Sequence, residues 1–157
     1  MKIGFIGLGV MGSGMCANII RKHSDQVFVY DVDAAKIQQM ESLGAVGVKS
    51  SLEAAERSEI IFTMVPRSEH SKAVWQEALP AMGPGKIGVD MSTIDPSVSL
   101  EIAGMIKETG AEFADCPVVK SKGAAEAGTL GIYAGCTEEI YKILEPMLYY
   151  MGAQVLH

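Results

Sequence analysis

The first twelve residues, MKIGFIGLGVMG, run an apolar strand directly into a turn with glycine at positions 7, 9 and 12. A strand, that glycine spacing and a helix in immediate succession fit one setting, the first βαβ unit of a doubly wound α/β sheet. Gly7 permits the tight turn out of the strand, Gly9 removes a Cβ that would obstruct an approaching phosphate, and Gly12 lets the next helix pack close on the sheet. The helix then presents backbone N–H groups without intrahelical acceptors, at the positive end of its dipole. With 17 glycines in 157 residues the spacing alone is a weak signal. Its context strengthens it. Ile3, Phe5 and Ile6 precede the turn, Met15, Ile19 and Ile20 follow at helical spacing, and Val27–Tyr30 forms a second apolar run ending in Asp31. An acid about 20 residues after the glycines completes a dinucleotide fingerprint.

Asp31 discriminates between nicotinamide cofactors. A carboxylate there accepts from the ribose hydroxyls of NAD, and a hydrogen bond to a charged group contributes about 1.5–3 kcal/mol. Against the 2′-phosphate of NADP it meets like charge, a penalty of about 4 kcal/mol for unit charges 4 Å apart at an effective dielectric near 20. Val32 and Asp33 come next, with no arginine to receive that phosphate. NAD is therefore expected in preference to NADP. The plainer role for Asp31, capping the helix that begins near Ala34, suits Asp33 better.

Strand-like and helical runs alternate along the chain. Strands are expected at Lys2–Ile6, Val27–Tyr30, Ala45–Val48, Ile60–Val65, Ile87–Met91, Glu112–Asp115, Leu130–Ala134 and Gln154–Leu156. Helices are expected up to Lys22, at Ala34–Leu43, Leu52–Arg57 and Glu69–Leu79, from Pro96 after its cap Asp95, and at Glu138–Met151. This alternation predicts a Rossmann-type, mostly parallel sheet with helices on both faces, as one domain over residues 1–157. Ligands of such sheets bind beyond the carboxyl ends of the strands. Besides the glycine turn and Asp31, those ends carry Val65-Pro66, Ser92-Thr93 and the polar segment Asp115–Gly123 with Lys120 and Lys122. Each has a plainer reading as well: Pro66 as a strand breaker, Ser92 and Thr93 as turn formers, the two lysines as solvated charges.

A net charge of −6 supplies no basic stripe for phosphate backbones, so no nucleic-acid partner is expected. No apolar run reaches the roughly 18 residues of a membrane span, and the N-terminus enters a strand at once, so no membrane association and a cytoplasmic location are expected. Cys16, Cys116 and Cys136 are odd in number and widely spaced, and His23, His70 and His157 form no motif with them. They read as thiols of a reduced compartment, with no metal site. The ten methionines read as core fillers.

The segments GFIGLGVMGSGMCANI from Gly4, Met64-Val65-Pro66, DMSTIDPSVS from Asp90, and DCPV with AAEAGTLGIYAG from Asp115 onward resemble the β-hydroxyacid dehydrogenases, which include 3-hydroxyisobutyrate and 6-phosphogluconate dehydrogenases. The resemblance spans the whole chain and implies its N-terminal, cofactor-binding domain. It implies that Gly7, Leu8, Gly9, Val10, Met11, Gly12 and Asp31 hold NAD, that Val65 and Pro66 lie along it, and that Thr93 contacts its nicotinamide half. His70 falls where some members place an asparagine toward the cofactor.

Two departures qualify the likeness. Where most members have Ser-Gly-Gly after Asp-x-Pro-Val, this chain has Val119-Lys120-Ser121. The following Ser121-Lys122 resembles the Ser-Lys of some glyoxylate and succinic semialdehyde reductases and is expected to meet the substrate, a small anionic hydroxyacid or aldehyde acid. In the family the catalytic lysine belongs to a helix after the strand matching Gln154–Leu156, in a helical domain that also builds the homo-oligomer. None of the 157 residues is therefore assigned as catalytic, and NAD binding without turnover is expected of the isolated chain. The alternatives are a stand-alone NAD-binding or regulatory module, or the same domain of an imine reductase.

Overall fold

The computed structural model describes residues 1–119 and 121–157. Its main sheet is wholly parallel, built from β1 (Ile3–Ile6), β2 (Val27–Tyr30), β3 (Val46–Gly47), β4 (Ile60–Thr63), β5 (Ile87–Asp90) and β6 (Glu112–Asp115) in the order β3-β2-β1-β4-β5-β6. The chain winds outward from β1 to β3 and then crosses to β4, so the winding direction reverses between β1 and β4. That reversal opens a crevice at the carboxyl ends of these two strands.

Strand periodicity sorts the core into two layers. Ile3 and Phe5 of β1, Ile60 and Phe62 of β4, and Ile87 and Val89 of β5 face α1 (Gly12–Lys22), α2 (Ala34–Glu41) and α7 (Glu138–Met151). Ile6, Ile61 and Phe113 face α3 (Ser51–Arg57), α4 (Ser68–Ala78) and α5 (Pro96–Glu108), where Trp75 packs edge-on against Phe113. The expected doubly wound sheet with helices on both faces is present.

Beyond β6 the fold differs from the expected single sheet. Strands β7 (Val118–Val119), β8 (Leu130–Tyr133) and β9 (Gly152–Leu156) form a separate three-stranded sheet, β7 antiparallel and β9 parallel to β8. An antiparallel bridge between Asp115 and Gly135 joins the two sheets. Two elements in this part are absent from the sequence expectation, the two-residue β7 and the helix α6 (Lys122–Ala127). The six residues KGAAEA carry no large apolar side chain to mark a helical face, and two glycines flank the alanines. Packing supplies what periodicity does not. Gly14 on α1 has no Cβ, which lets the backbone of Ala125 and Glu126 come close, and the buried Asn18 amide donates to Ala125 O at 2.9 Å and Glu126 O at 3.1 Å.

Candidate cofactor cleft

The turn after β1 depends on its glycines at two points. Gly7 has φ of +101°, and a Cβ there would stand 2.1 Å from Met64 O. A Cβ on Gly12 would stand 2.0 Å from Gly7 O, so the turn folds back on its own backbone and admits no side chain. The expected reason for Gly12, close packing of helix on sheet, is thus secondary; its Cβ would be a more comfortable 3.5 Å from the Phe5 ring. At Gly9 no atom lies within 4 Å of the Cβ position, so its open side is free to receive a ligand.

Asp31 belongs to this turn physically as well as by spacing. Its Oδ2 accepts from Leu8 N–H at 2.7 Å and its Oδ1 from Asp33 N–H at 2.8 Å. A carboxylate offers about four lone-pair sites, so two backbone donors orient the group without exhausting it. Asp33, as expected, caps α2 by accepting from Ala35 N–H at 3.0 Å.

Of the seven α-helices among the described residues, α2, α3, α5, α6 and α7 have a side chain accepting at the N-terminus. The other two, α1 and α4, have none. Both begin beside the crevice. Gly7, Gly9, Asp31, Val65, Pro66 and His70 line a cleft of about 470 Å³ there, together with Lys36 from the first turn of α2. Lys36 escaped the sequence analysis because its only signal is position, five residues after Asp31 on an exposed helix.

The other expected site residues fall into three groups. Leu8, Val10, Met11 and Gly12 complete the turn; Leu8 and Gly12 are buried, Met11 half-buried and Val10 exposed. Thr93 is exposed at the end of β5, outside the lining of this cleft, whereas Ser92 is buried and accepts from Val65 N–H at 2.9 Å. Ser121 and Lys122 stand apart on α6. Ser121 Oγ accepts from Ala124 N–H at 3.4 Å as the helix cap, and Lys122 lies 3.8 Å from Glu126, both side chains exposed. Lys120 lies outside the described residues.

A polar row runs beneath the strand ends. Thr63, Asp90 and Asp115 are register partners on β4, β5 and β6. Burial pushes the Asp90 carboxyl up, opposed by hydrogen bonds from Ser92 and Thr63. Asp115 is raised first by burial and then by the charge of Asp90, opposed by Ser99. Asp115, Ser99 and Phe113 also line a second groove of about 550 Å³ between α5 and residues 135–137, which of the strand-end candidates holds Asp115 alone. Cys16 and Cys116 are buried and burial raises all three thiols, which disfavours thiolate chemistry. Among the described residues no group of three or more His, Cys, Asp or Glu is placed to hold a metal ion, and no helix is long and apolar enough to cross a membrane.

The reversal of strand order, the glycine turn and the acid tied to it define a doubly wound dinucleotide-binding domain. The chain belongs to the NAD binding domain family of 6-phosphogluconate dehydrogenase, which it matches over residues 2–157. It is 34% identical to 2-(hydroxymethyl)glutarate dehydrogenase of Eubacterium barkeri, covering 100% of this chain and 53% of that protein. It is 37% identical to mitochondrial 3-hydroxyisobutyrate dehydrogenase of Rattus norvegicus, covering 99% and 47%. The solved 3-hydroxyisobutyrate dehydrogenase of Mycobacterium tuberculosis with L-serine superposes with a TM-score of 0.94 at 27% identity, over 99% of this chain and 53% of that one. The chain thus spans about half the length of the relatives it matches. It is an NAD-binding domain of the 3-hydroxyisobutyrate dehydrogenase-like oxidoreductases.

Proposed function

We propose that this chain binds NAD in preference to NADP, as the cofactor half of an oxidoreductase that interconverts a small anionic hydroxyacid and its oxo or semialdehyde form. The observation that carries the reading is the 2.7 Å hydrogen bond from Leu8 N–H to Asp31, which fixes the acid against the phosphate turn while Gly9 leaves the turn open. Gly7, Leu8, Gly9, Val10, Met11 and Gly12 would hold the pyrophosphate on the uncapped N-terminus of α1. Asp31 would take the ribose hydroxyls, Val65 and Pro66 would flank the dinucleotide, and Thr93 would meet its nicotinamide half. When bound, NAD supplies the hydride acceptor at its nicotinamide ring.

Oxidising a hydroxyl also requires a group that takes its proton. Ser121 and Lys122 are assigned to bind the substrate carboxylate and not to this step, because they lie on a different segment from the one that carries the catalytic lysine in the family the chain resembles. The proton acceptor is therefore assigned to the parent protein outside these 157 residues, and homo-oligomerisation to its helical half. These assignments draw on the resemblance to full-length relatives twice as long.

Asp31 alone would disfavour a 2′-phosphate by about 4 kcal/mol, close to a thousandfold. Lys36 lines the same cleft and offsets part of that repulsion, which reduces the expected preference to about tenfold. Fluorescence titration of the chain with NADH and NADPH tests this. Tighter NADH binding with no hydroxyacid turnover is expected. Equal or tighter NADPH binding removes the NAD assignment, binding of neither removes the cofactor reading, and turnover at ordinary enzymatic rates removes the assignment of the proton acceptor elsewhere.

A further inference from the structure

Asp90 is an uncommon residue in its position. It is 0% exposed at the end of β5, and charged side chains are almost never fully buried without a partner of opposite charge. No lysine or arginine shares its ion pairs among the described residues. Its Oδ1 accepts from Thr63 Oγ1–H at 3.0 Å and from Ser92 N–H at 2.9 Å. Its Oδ2 is buried and makes no well-formed hydrogen bond, although Ser71 from α4 stands near enough to favour the charged carboxylate. Such a group costs stability, and the core of the sheet gives it no packing role that an apolar residue would not fill better.

What a carboxylate offers that a neutral side chain does not is acceptor capacity without a donor. Asp90 holds Ser92 through its backbone N–H at 2.9 Å, and the Ser92 hydroxyl oxygen accepts from Val65 N–H at 2.9 Å. An acceptor-only neighbour takes both the Ser92 N–H and the Thr63 hydroxyl, and so sets the Ser92 side chain where its oxygen meets Val65 N–H. The link therefore runs from Val65 N–H to the Ser92 hydroxyl, and from the Ser92 backbone N–H to the Asp90 carboxylate. Val65 lines the cofactor cleft, and Ser92 precedes Thr93. One buried carboxylate thus ties together the two strand-end loops that flank the cleft.

We propose that Asp90 is a positioning residue of the cofactor site, holding the Ser92 backbone so that the Ser92 hydroxyl fixes Val65 in the wall of the cleft. Ser92, which the sequence presents as a hydroxyl equivalent to Thr93, is committed to this link, and Thr93 alone remains for a ligand. The inference rests on the cofactor reading above and extends it from the residues that touch the dinucleotide to the pair that hold them in place.

The test uses NADH as probe on the 157-residue chain, with thermal melts to confirm that each variant is folded. Ser92→Ala is expected to weaken NADH binding about tenfold, and Ser92→Thr, which keeps a hydroxyl at that position, to weaken it distinctly less. Asp90→Asn is expected to weaken binding in the same direction, and the double variant to bind no worse than Ser92→Ala alone, because interactions in one chain are not additive. Failure of the unsubstituted chain to bind NADH overturns the cofactor reading itself. If it binds, an unchanged affinity in folded Ser92→Ala overturns the present inference. So does equal loss in Ser92→Ala and Ser92→Thr, or full additivity of Asp90→Asn with Ser92→Ala. Should Asp90→Asn not fold, the contrast between the two Ser92 variants decides the Ser92 link, and Asp90→Glu, which keeps the carboxylate, takes its place in the double variant.

Discussion

The glycine turn and the segment that carries Ser121 and Lys122 lie on two helices packed against each other, yet they are built differently. In the turn, backbone geometry determines residue type: Gly7 and Gly12 leave no room for a Cβ, and Asp31 is held by two backbone donors. In the segment, Ser121, Lys122 and Gly123 are exposed, and a Cβ on Gly123 would come no closer than 3.7 Å to its neighbour Ser121. The turn assigned to the dinucleotide is thus specified by the main chain. The site assigned to the substrate is left to side chains, which can change without refolding the domain.

The largest effect is expected where this contrast is sharpest. Gly12→Ala forces a methyl group against Gly7 O, at a Cβ separation of 2.0 Å before relaxation. Relief requires the backbone to move, at about 3 kcal/mol or more, and NADH binding should be lost with it. Gly123→Ala meets open space inside a helix and should stabilise the chain by up to about 0.8 kcal/mol. Urea denaturation of both variants, with an NADH titration, measures the difference. If Gly12→Ala keeps stability and affinity, the main chain does not specify the turn.

Asn18 connects the two regions, and its loss should rank next. Its amide serves Gly14 O, Ala125 O and Glu126 O, and its Oδ1 accepts from Arg21. Asn18→Ala leaves carbonyls at the end of α6 without their buried partner, a cost of about 1–3 kcal/mol. Hydrogen exchange should show that loss as faster exchange in residues 122–127 than in β1. Equal protection in the variant would mean that α6 is held by its apolar contacts alone.

This contrast also explains what was legible beforehand. Gly7, Gly9, Gly12 and Asp31 were readable because the turn permits few alternatives, and all but Gly12, which supports the turn from behind, line the cleft. The main-sheet strands were readable because parallel strands buried on both faces leave continuous apolar runs. Helix α6 was not, since its signal lies in Gly14 and Asn18, more than a hundred residues earlier on α1. Lys36 and Asp90 were missed for a related reason. A lone charge in sequence gives no sign that one will line a cleft and the other be buried beneath it.

Lys122 should have the smallest effect on the fold, and that smallness is informative. It stands at the first position of α6, where a positive charge opposes the helix dipole. Its ion pair with Glu126, at 3.8 Å between exposed side chains, runs in the less favourable order, lysine before glutamate. An exposed pair contributes about 0.5 kcal/mol or less, so Lys122→Ala should leave stability unchanged or slightly raised in thermal melts. A lysine that does not help its own helix has a reason elsewhere if it serves an anionic substrate. In the full-length enzyme the same substitution should then raise the substrate KM about fivefold, with NADH affinity unaltered, the loss of about 1 kcal/mol of binding. An unchanged KM would make Lys122 a solvated helix charge and leave Ser121, already engaged in capping α6, as the remaining candidate for substrate contact on that helix.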